Sequence, residues 1–460
     1  MPAAARGAKG KAQGKAKAPG RGQAKAQGKG TRVAQVARGA QPLEQRILVT
    51  ATLCLLAFGA VMVYSSSSAS TLLQGQGNGS SYLIKFVIFG ALGLALMRVL
   101  ARDGVAKVQG IVAPLLAVSF GLVLAVHVPH VGVAINGARR WIGPSIFQFE
   151  PSELLKISLV LYAATLLARK PQHVHDLRRL AKPLLTVVGA ACLLVVTEPD
   201  LGTAMVIAFT ISALLLAAGI PTRNFAILAG TTFALVALYA IARPYARARL
   251  TSFVDPWAHA SGSGFQAVQG QIAIGSGGLF GVGPGQSVQK IFYLPEAQTD
   301  FILAVIAEEL GVLGVSALLF LYGLIAYAGL RTAKRARSLY SALIAVGMTT
   351  LIVSQALLNA FAVLGLAPLT GVPLPFVSYG SSSLIVMLGA MGLLMNVASG
   401  TSAHVRAVGD TAARKPAGLA NGRRASAKAE DQRSSEKPRR ASDDRRRRDR
   451  RARGAGARGR

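Results

Sequence analysis

The apolar positions of this chain come in long unbroken runs rather than in short helical or alternating stripes. Runs near residues 47–65, 82–100, 110–128, 152–168, 183–198, 201–219, 225–242, 301–330, 340–363 and 384–399 are each close to the ~20 residues that cross a bilayer as a helix. The pattern predicts an all-α integral membrane protein of ten transmembrane helices. The fifth and sixth are separated only by Glu198-Pro199-Asp200, a spacing that predicts a helical hairpin. A large loop, 243–300, separates the seventh from the eighth. Its second part, 261–300, has no clean spanning pattern yet is too apolar for a free linker. It reads as a packed re-entrant or interfacial segment whose glycines permit close backbone approach.

Composition agrees with the runs: 52% of residues are hydrophobic, 15% are charged and the mean hydropathy is +0.44. Charge adds the ends of the chain. The net charge is +32, of which the two tails carry about +10 and +12. The sequence therefore divides into a basic N-terminal tail (1–45), a membrane domain (46–399) and a basic C-terminal tail (400–460). Both tails lack the apolar residues needed to fold, read as disordered, and suit anionic lipid headgroups; nucleic acid is not an expected partner. Cys54 and Cys192 lie inside apolar runs, so no disulfide framework is expected. The first apolar run follows a long basic leader and reads as an anchor rather than a cleaved signal.

With the N-terminus inside, the loops at 98–109, 169–182 and 331–337 collect Lys and Arg, while those at 66–81, 198–200 and 364–383 have none. That asymmetry predicts both termini on the cytoplasmic side. Two outer segments break it, 129–151 with Arg139 and Arg140, and 243–300 with Arg243, Arg247, Arg249 and Lys290. Arg139, Arg140 and Trp141 are either headgroup anchors or a phosphate-binding group. Glu153 and Lys156, three residues apart on one helix face, are either an internal salt bridge or part of a site.

The stretch YLPEAQTDFILAVIAEELG carries Glu296, Asp300, Glu308 and Glu309 in apolar company, where a charge at bilayer depth costs roughly 2.5 kcal/mol or more. Thr299 reads as an N-cap, with Asp300 in the first helical turn. Glu308 and Glu309, deeper and about 100° apart, suit hydrogen bonds to other helices. Asp300 and Glu296 sit at the mouth of the bundle, where a partly desolvated carboxylate can act as a general base. The Gly-rich segment lacks the strand and helix of a nucleotide loop, so no nucleotide cofactor is expected.

NGARRWIG with EPSELLK, TEPDLGTAM, GFQAVQGQIAIGSGGLFGVG, YLPEAQTDFILAVIAEELG and PLTGVPLPFVSYGSSSL stand in an order and spacing that resemble the SEDS family (shape, elongation, division and sporulation) over nearly all of 46–399. QSVQKIFYLPEA resembles its FtsW members, and QGQIAIGSGG with AVIAEELG its RodA members; the overall resemblance is closer to FtsW. It implies a peptidoglycan glycosyltransferase of cell division that polymerises lipid II at the outer face of the bacterial cytoplasmic membrane. Asp300 would be the general base. Glu296, Arg139, Arg140, Trp141, Glu153, Lys156 and Gln266 would contact substrate, with a divalent cation (Mg²⁺ or Mn²⁺) assisting. The partners implied are a class B penicillin-binding protein transpeptidase and division proteins. Glu150 stands where the family usually has Gln, Ser381 where it has Gly, and Gln298 where it often has His. Competing readings are a RodA-like elongation polymerase, a lipid II flippase and a non-enzymatic division scaffold.

Overall fold

The structure is a computed structural model that describes residues 42–73, 75, 79–135, 138–144, 148–291 and 293–400. Nearly all of both basic tails lies outside these residues. The helices are α1 (Leu43–Leu73), α2 (Ser81–Val126), α3 (Pro151–Arg169), α4 (Leu177–Thr197), α5 (Leu201–Ala217), α6 (Thr222–Ala242), α7 (Pro244–Val254), α8 (Phe265–Gly277), α9 (Ile302–Arg335), α10 (Leu339–Val363) and α11 (Ser381–Ala398). Among the described residues eight of them are long and apolar enough to cross a membrane, and α5 is a shorter apolar helix. Their outward side chains fit such a solvent: Phe233 on α6 is 76% exposed and Phe320 on α9 65%.

Two expected spans appear as the single element α2, 46 residues long, which if straight would measure about 69 Å. It does not run straight. Tyr82 packs edge-on against Tyr379, just before α11, at 4.9 Å. Asn396, at the far end of α11, donates to the carbonyls of Ala101 and Arg102. The last turn of α2 nevertheless returns to the first end, because His127 meets Thr197 at 3.0 Å, and Thr197 adjoins Glu198, whose carbonyl accepts from Arg140. The element therefore changes direction between Arg102 and His127. Gly93 and Gly392 let α2 and α11 touch: a Cβ on Gly392 would stand 2.6 Å from the Met97 carbonyl oxygen.

The expectation of an all-α chain needs one correction. Gly132–Ile135 (β1) and Ala138–Ile142 (β2) pair antiparallel. Asn136-Gly137 between them is the strongest short hairpin signal a sequence offers; these two residues lie outside the described residues.

The 261–300 segment is packed only in part, with Val268, Ala273, Leu294 and Ala297 buried and Leu279 and Phe280 exposed, and it is tied to a break in α9. Gly311 has φ 65° and ψ −161°, which ends one helix and starts another. The freed backbone groups find partners in the loop after α8: Val282 N donates to the Glu308 carbonyl, Gly283 N to that of Glu309, and Val312 N to that of Gly278. The approach is too close for side chains, since a Cβ on Gly277 would lie 1.9 Å from the Ala307 oxygen.

A second unforeseen element is the loop before α11, expected as an ordinary outer loop. Val372, Leu374, Phe376 and Val377 are buried. Its carbonyls are served from inside the bundle: Gln355 donates to Pro373 (3.0 Å), Asn359 to Val372 (2.8 Å) and Tyr322 to Pro375. Gly59 of α1 leaves room for Phe376 and Val377. The loop re-enters the protein and forms the floor of the site.

Candidate functional site

Asp300 lies just before α9, which starts at Ile302 with Phe301 at its N-cap position. The expected placement of Asp300 in the first turn, capped by Thr299, is corrected by this. The Thr299 hydroxyl is instead shared among three oxygens, Glu296 O at 3.0 Å, Glu296 Oε2 at 3.2 Å and Asp300 Oδ1 at 3.2 Å. Its one proton serves one of them at a time. Asn359 on α10 donates to the Asp300 carbonyl at 2.7 Å, which fixes the backbone. On the other side stands Gly371 of the re-entrant loop, where a Cβ would lie 3.8 Å from Asp300 Oδ2. The carboxylate is thus held between a helix start and a loop floor, half-buried. Burial pushes its pKa up to about 6, helped by the Glu296 charge, while its hydrogen bonds and Arg249 pull it down. Glu296 is exposed and has φ 56°, a conformation that favours glycine. Gln266 on α8 donates to the neighbouring Pro295 carbonyl at 3.2 Å.

Across the re-entrant loop lies a second charged group. Gly202, at the start of α5, leaves space for Thr370 and Val372, so α5 abuts one side of the loop while Asp300 abuts the other. Arg140 of β2 donates to the carbonyls of Glu198 and Pro199 and stands 3.8 Å from Asp200. Asp200 caps α5 by accepting from Thr203 N. Lys156 Nζ donates to Glu153 (2.9 Å) and to Gln355 (2.8 Å), the residue that also holds Pro373. Glu198 is 2% exposed, and among the described residues neither carboxylate oxygen has a hydrogen-bond partner. Burial first, then Asp200 and Glu150, push its pKa up to about 8; burial, with Glu153 and Asp200, does the same for Glu150.

A protonated Glu198 is therefore the form that suits this place at neutral pH. The folded chain keeps a proton that the unfolded chain releases near pH 4.5, so stability falls as pH rises from there to about 8, by about 1.4 kcal/mol per pH unit for one such group. Glu198→Gln is expected to remove part of that slope, leaving the parallel contribution of Glu150. Melting temperatures in detergent from pH 5 to 9 read it; identical slopes for the two proteins would refute the assignment.

The model of the FtsW/RodA/SpoVE family, described as cell cycle proteins, matches residues 45–403. The chain belongs to this family. It is 38% identical over 351 residues to stage V sporulation protein E of Bacillus subtilis, covering 76% of this chain and 96% of that protein. It is 41% identical over 356 residues to the probable peptidoglycan glycosyltransferase FtsW of Coxiella burnetii, covering 76% and 95%. Among solved structures, it is similar to a chain from a study of the structural coordination of polymerization and crosslinking by a peptidoglycan synthase complex. The TM-score is 0.64 at 30% identity, with 78% of this chain and 98% of that one covered. It is also similar to the rod shape determining protein RodA of Thermus thermophilus, with a TM-score of 0.56 at 28% identity and 78% and 97% covered.

In this member of the FtsW/RodA/SpoVE family the sequence-derived site residues fall into two groups. Asp300, Glu296 and Gln266 gather at one side of the re-entrant loop, and Arg140, Glu153 and Lys156 at the other. Arg139 is exposed on β2 and Trp141 is half-buried. Lys156 and Arg140 have protein partners for their charges, and Gln266 touches backbone. Glu308 and Glu309 serve structure, as expected, though chiefly through the preceding loop rather than other helices. Glu308 accepts from Ser287 and from Val288 N (3.0 Å), while Glu309 accepts from Lys290 (2.7 Å) and from Ser65 of α1 (2.7 Å). Asn359 and Gln355 carry roles not read from the sequence, in which Arg249 is only an outer basic residue and Glu198 and Asp200 only parts of a hairpin turn. The polar residues Gln355 and Asn359, four apart in an otherwise apolar run, were the available signal. Among the described residues no three His, Cys, Asp or Glu side chains gather as metal ligands, so the expected divalent cation has no such set here and no step below is routed through it.

Proposed function

We propose that this chain is a peptidoglycan glycosyltransferase that polymerises lipid II at the outer face of the bacterial cytoplasmic membrane, in cell division rather than elongation, with Asp300 as general base. The observation that carries the reading is Asp300 itself, a half-buried carboxylate whose pKa of about 6 leaves it ionised at neutral pH and basic enough to accept a proton. The acceptor GlcNAc 4-hydroxyl gives its proton to Asp300 as its oxygen attacks the donor MurNAc anomeric carbon. The bond from that carbon to the pyrophosphate breaks, and undecaprenyl pyrophosphate leaves with the electron pair. Arg139, exposed beside Arg140 and with no hydrogen-bond or ion-pair partner among the described residues, is the basic residue best placed to meet that leaving group. Glu296 and Trp141 are further contacts for the saccharide. A divalent cation, if used, would be held largely by the pyrophosphate oxygens, as Mg²⁺ commonly is.

The division role is supported by the FtsW relatives and by the family's description as cell cycle proteins. A class B transpeptidase partner is supported by the likeness to a synthase complex that couples polymerization to crosslinking. Ten crossings follow if α2 crosses twice and α5 once, with α7, α8 and the loop to residue 301 forming the large outer segment between the seventh and eighth. The basic ends of α3 and α9 then lie inside with both termini. A flippase would need charges strung along a path. Glu153, Lys156, Glu308 and Glu309 are instead each bonded locally.

The test is polymer formation from labelled lipid II by the purified chain with its transpeptidase, followed from pH 5 to 8. Activity is expected to rise with pH through a midpoint near 6. Arg249→Ala removes a charge that holds the midpoint down, so its midpoint should move up and its deficit be greater at pH 6 than at pH 8. A flat profile for both proteins would contradict Asp300 as the base.

A further inference from the structure

At the end of the bundle opposite Asp300 lies a cavity of about 260 Å³ with a mixed polar and apolar lining, formed where α1 begins and where α9 and α11 end. Glu44, 4% exposed, is its anchor. One oxygen of Glu44, Oε1, takes both Arg331 Nε at 2.9 Å and Arg335 Nη1 at 2.5 Å. Arg331 is further fixed by Tyr327, whose hydroxyl accepts from Nη1 and whose ring lies 5.8 Å beneath the guanidinium.

A plain tie between α1 and α9 needs one cation for one carboxylate. Here two guanidinium groups converge on a single oxygen atom and leave a surplus positive charge, to which Arg337, also lining the cavity, adds another. Each guanidinium carries five N–H donors, and the contacts to Glu44 and Tyr327 take three of the ten. Both arginine side chains are partly open, 35% and 59% exposed. The remaining donors form preset forks matched to the oxygens of a phosphate, and basic pockets between membrane helix ends suit lipid headgroups.

We propose that the cavity lined by Glu44, Arg335 and Arg337, with Arg331 held beside it on the same Glu44 oxygen, binds the phosphate of an anionic phospholipid headgroup, with Glu44 as the group that aims Arg335 into it. The site is remote from the saccharide chemistry and stands or falls independently of it.

The test uses the full chain, purified in neutral detergent, with its melting temperature followed as phosphatidylglycerol is titrated against phosphatidylcholine and, separately, against inorganic phosphate. Phosphatidylglycerol is expected to raise the melting temperature with saturation and phosphatidylcholine to leave it unchanged. Arg335→Ala should weaken the half-saturation by about tenfold, the loss of one charge-assisted contact. Arg335→Lys, which keeps the charge and the pair with Glu44 but not the fork, should weaken it by a smaller factor. Lys107→Ala removes the same charge from an exposed position of α2, 69% open, and should change nothing. A rise with inorganic phosphate alone would keep the site and assign it a soluble ligand. Unsaturable binding, or equal weakening by Lys107→Ala and Arg335→Ala, would overturn the proposal in favour of a diffuse basic surface.

Discussion

Asp300→Asn is expected to abolish glycan polymerisation, with turnover reduced by about 10²–10⁴-fold, the range a positioned general base supplies. The substitution keeps the size of the side chain and its acceptor oxygen for Thr299, and the Asn359 contact is to the backbone carbonyl, so the local structure should survive. Binding of lipid II should change little, because what is lost is a proton acceptor needed in the transition state. Turnover and half-saturation measured with matched melting temperatures separate the two. A variant that polymerises like the wild type would move the base elsewhere, with Glu296 next in position.

The largest stability effect is expected at Lys156. Its ammonium is 1% exposed and joins Glu153 to Gln355. Lys156→Ala leaves Glu153, whose Oε2 already lacks a partner, as an uncompensated buried charge, and removing one partner of such a pair costs about 3–5 kcal/mol. It also frees the Gln355 carboxamide that holds the Pro373 carbonyl, so the floor of the site loosens with it. Replacing both charges, as Glu153→Gln with Lys156→Met, should recover most of the melting temperature. If Lys156→Ala melts like the wild type yet fails to polymerise lipid II, the lysine meets substrate directly and the structural account of it is wrong.

These two residues also mark the limits of what the sequence made legible. Membrane helices announce themselves because each must be apolar over a full crossing whatever its neighbours are, and every expected run lies largely within a helix. The Glu153–Lys156 pair was legible for the same local reason, as a spacing along one helix. What was hidden depends on partners distant in sequence. The break at Gly311 needs the loop 278–283 to satisfy its backbone, and a glycine inside an apolar run does not reveal that. The loop before α11 reads as an outer connection until Tyr322, Gln355 and Asn359 are seen to serve its carbonyls. Asp300 reads from the sequence as a first-turn residue at the bundle mouth, two residues too far into the helix, because Phe301 rather than Thr299 stands at the N-cap of α9. Glu198 was hidden for another reason: in sequence Glu-Pro-Asp is a polar turn, and only the approach of Arg140 and Glu150 shows it to be buried.

Polymerisation and transport are separated most directly by reconstituting the wild-type chain with its transpeptidase in vesicles and supplying lipid II labelled in the sugar. Polymer length and the leaflet position of unreacted lipid are then read from the same sample. The account predicts glycan strands with release of undecaprenyl pyrophosphate, and no movement of lipid II between leaflets beyond that of empty vesicles. Labelled lipid crossing the bilayer with no strand formed would contradict it.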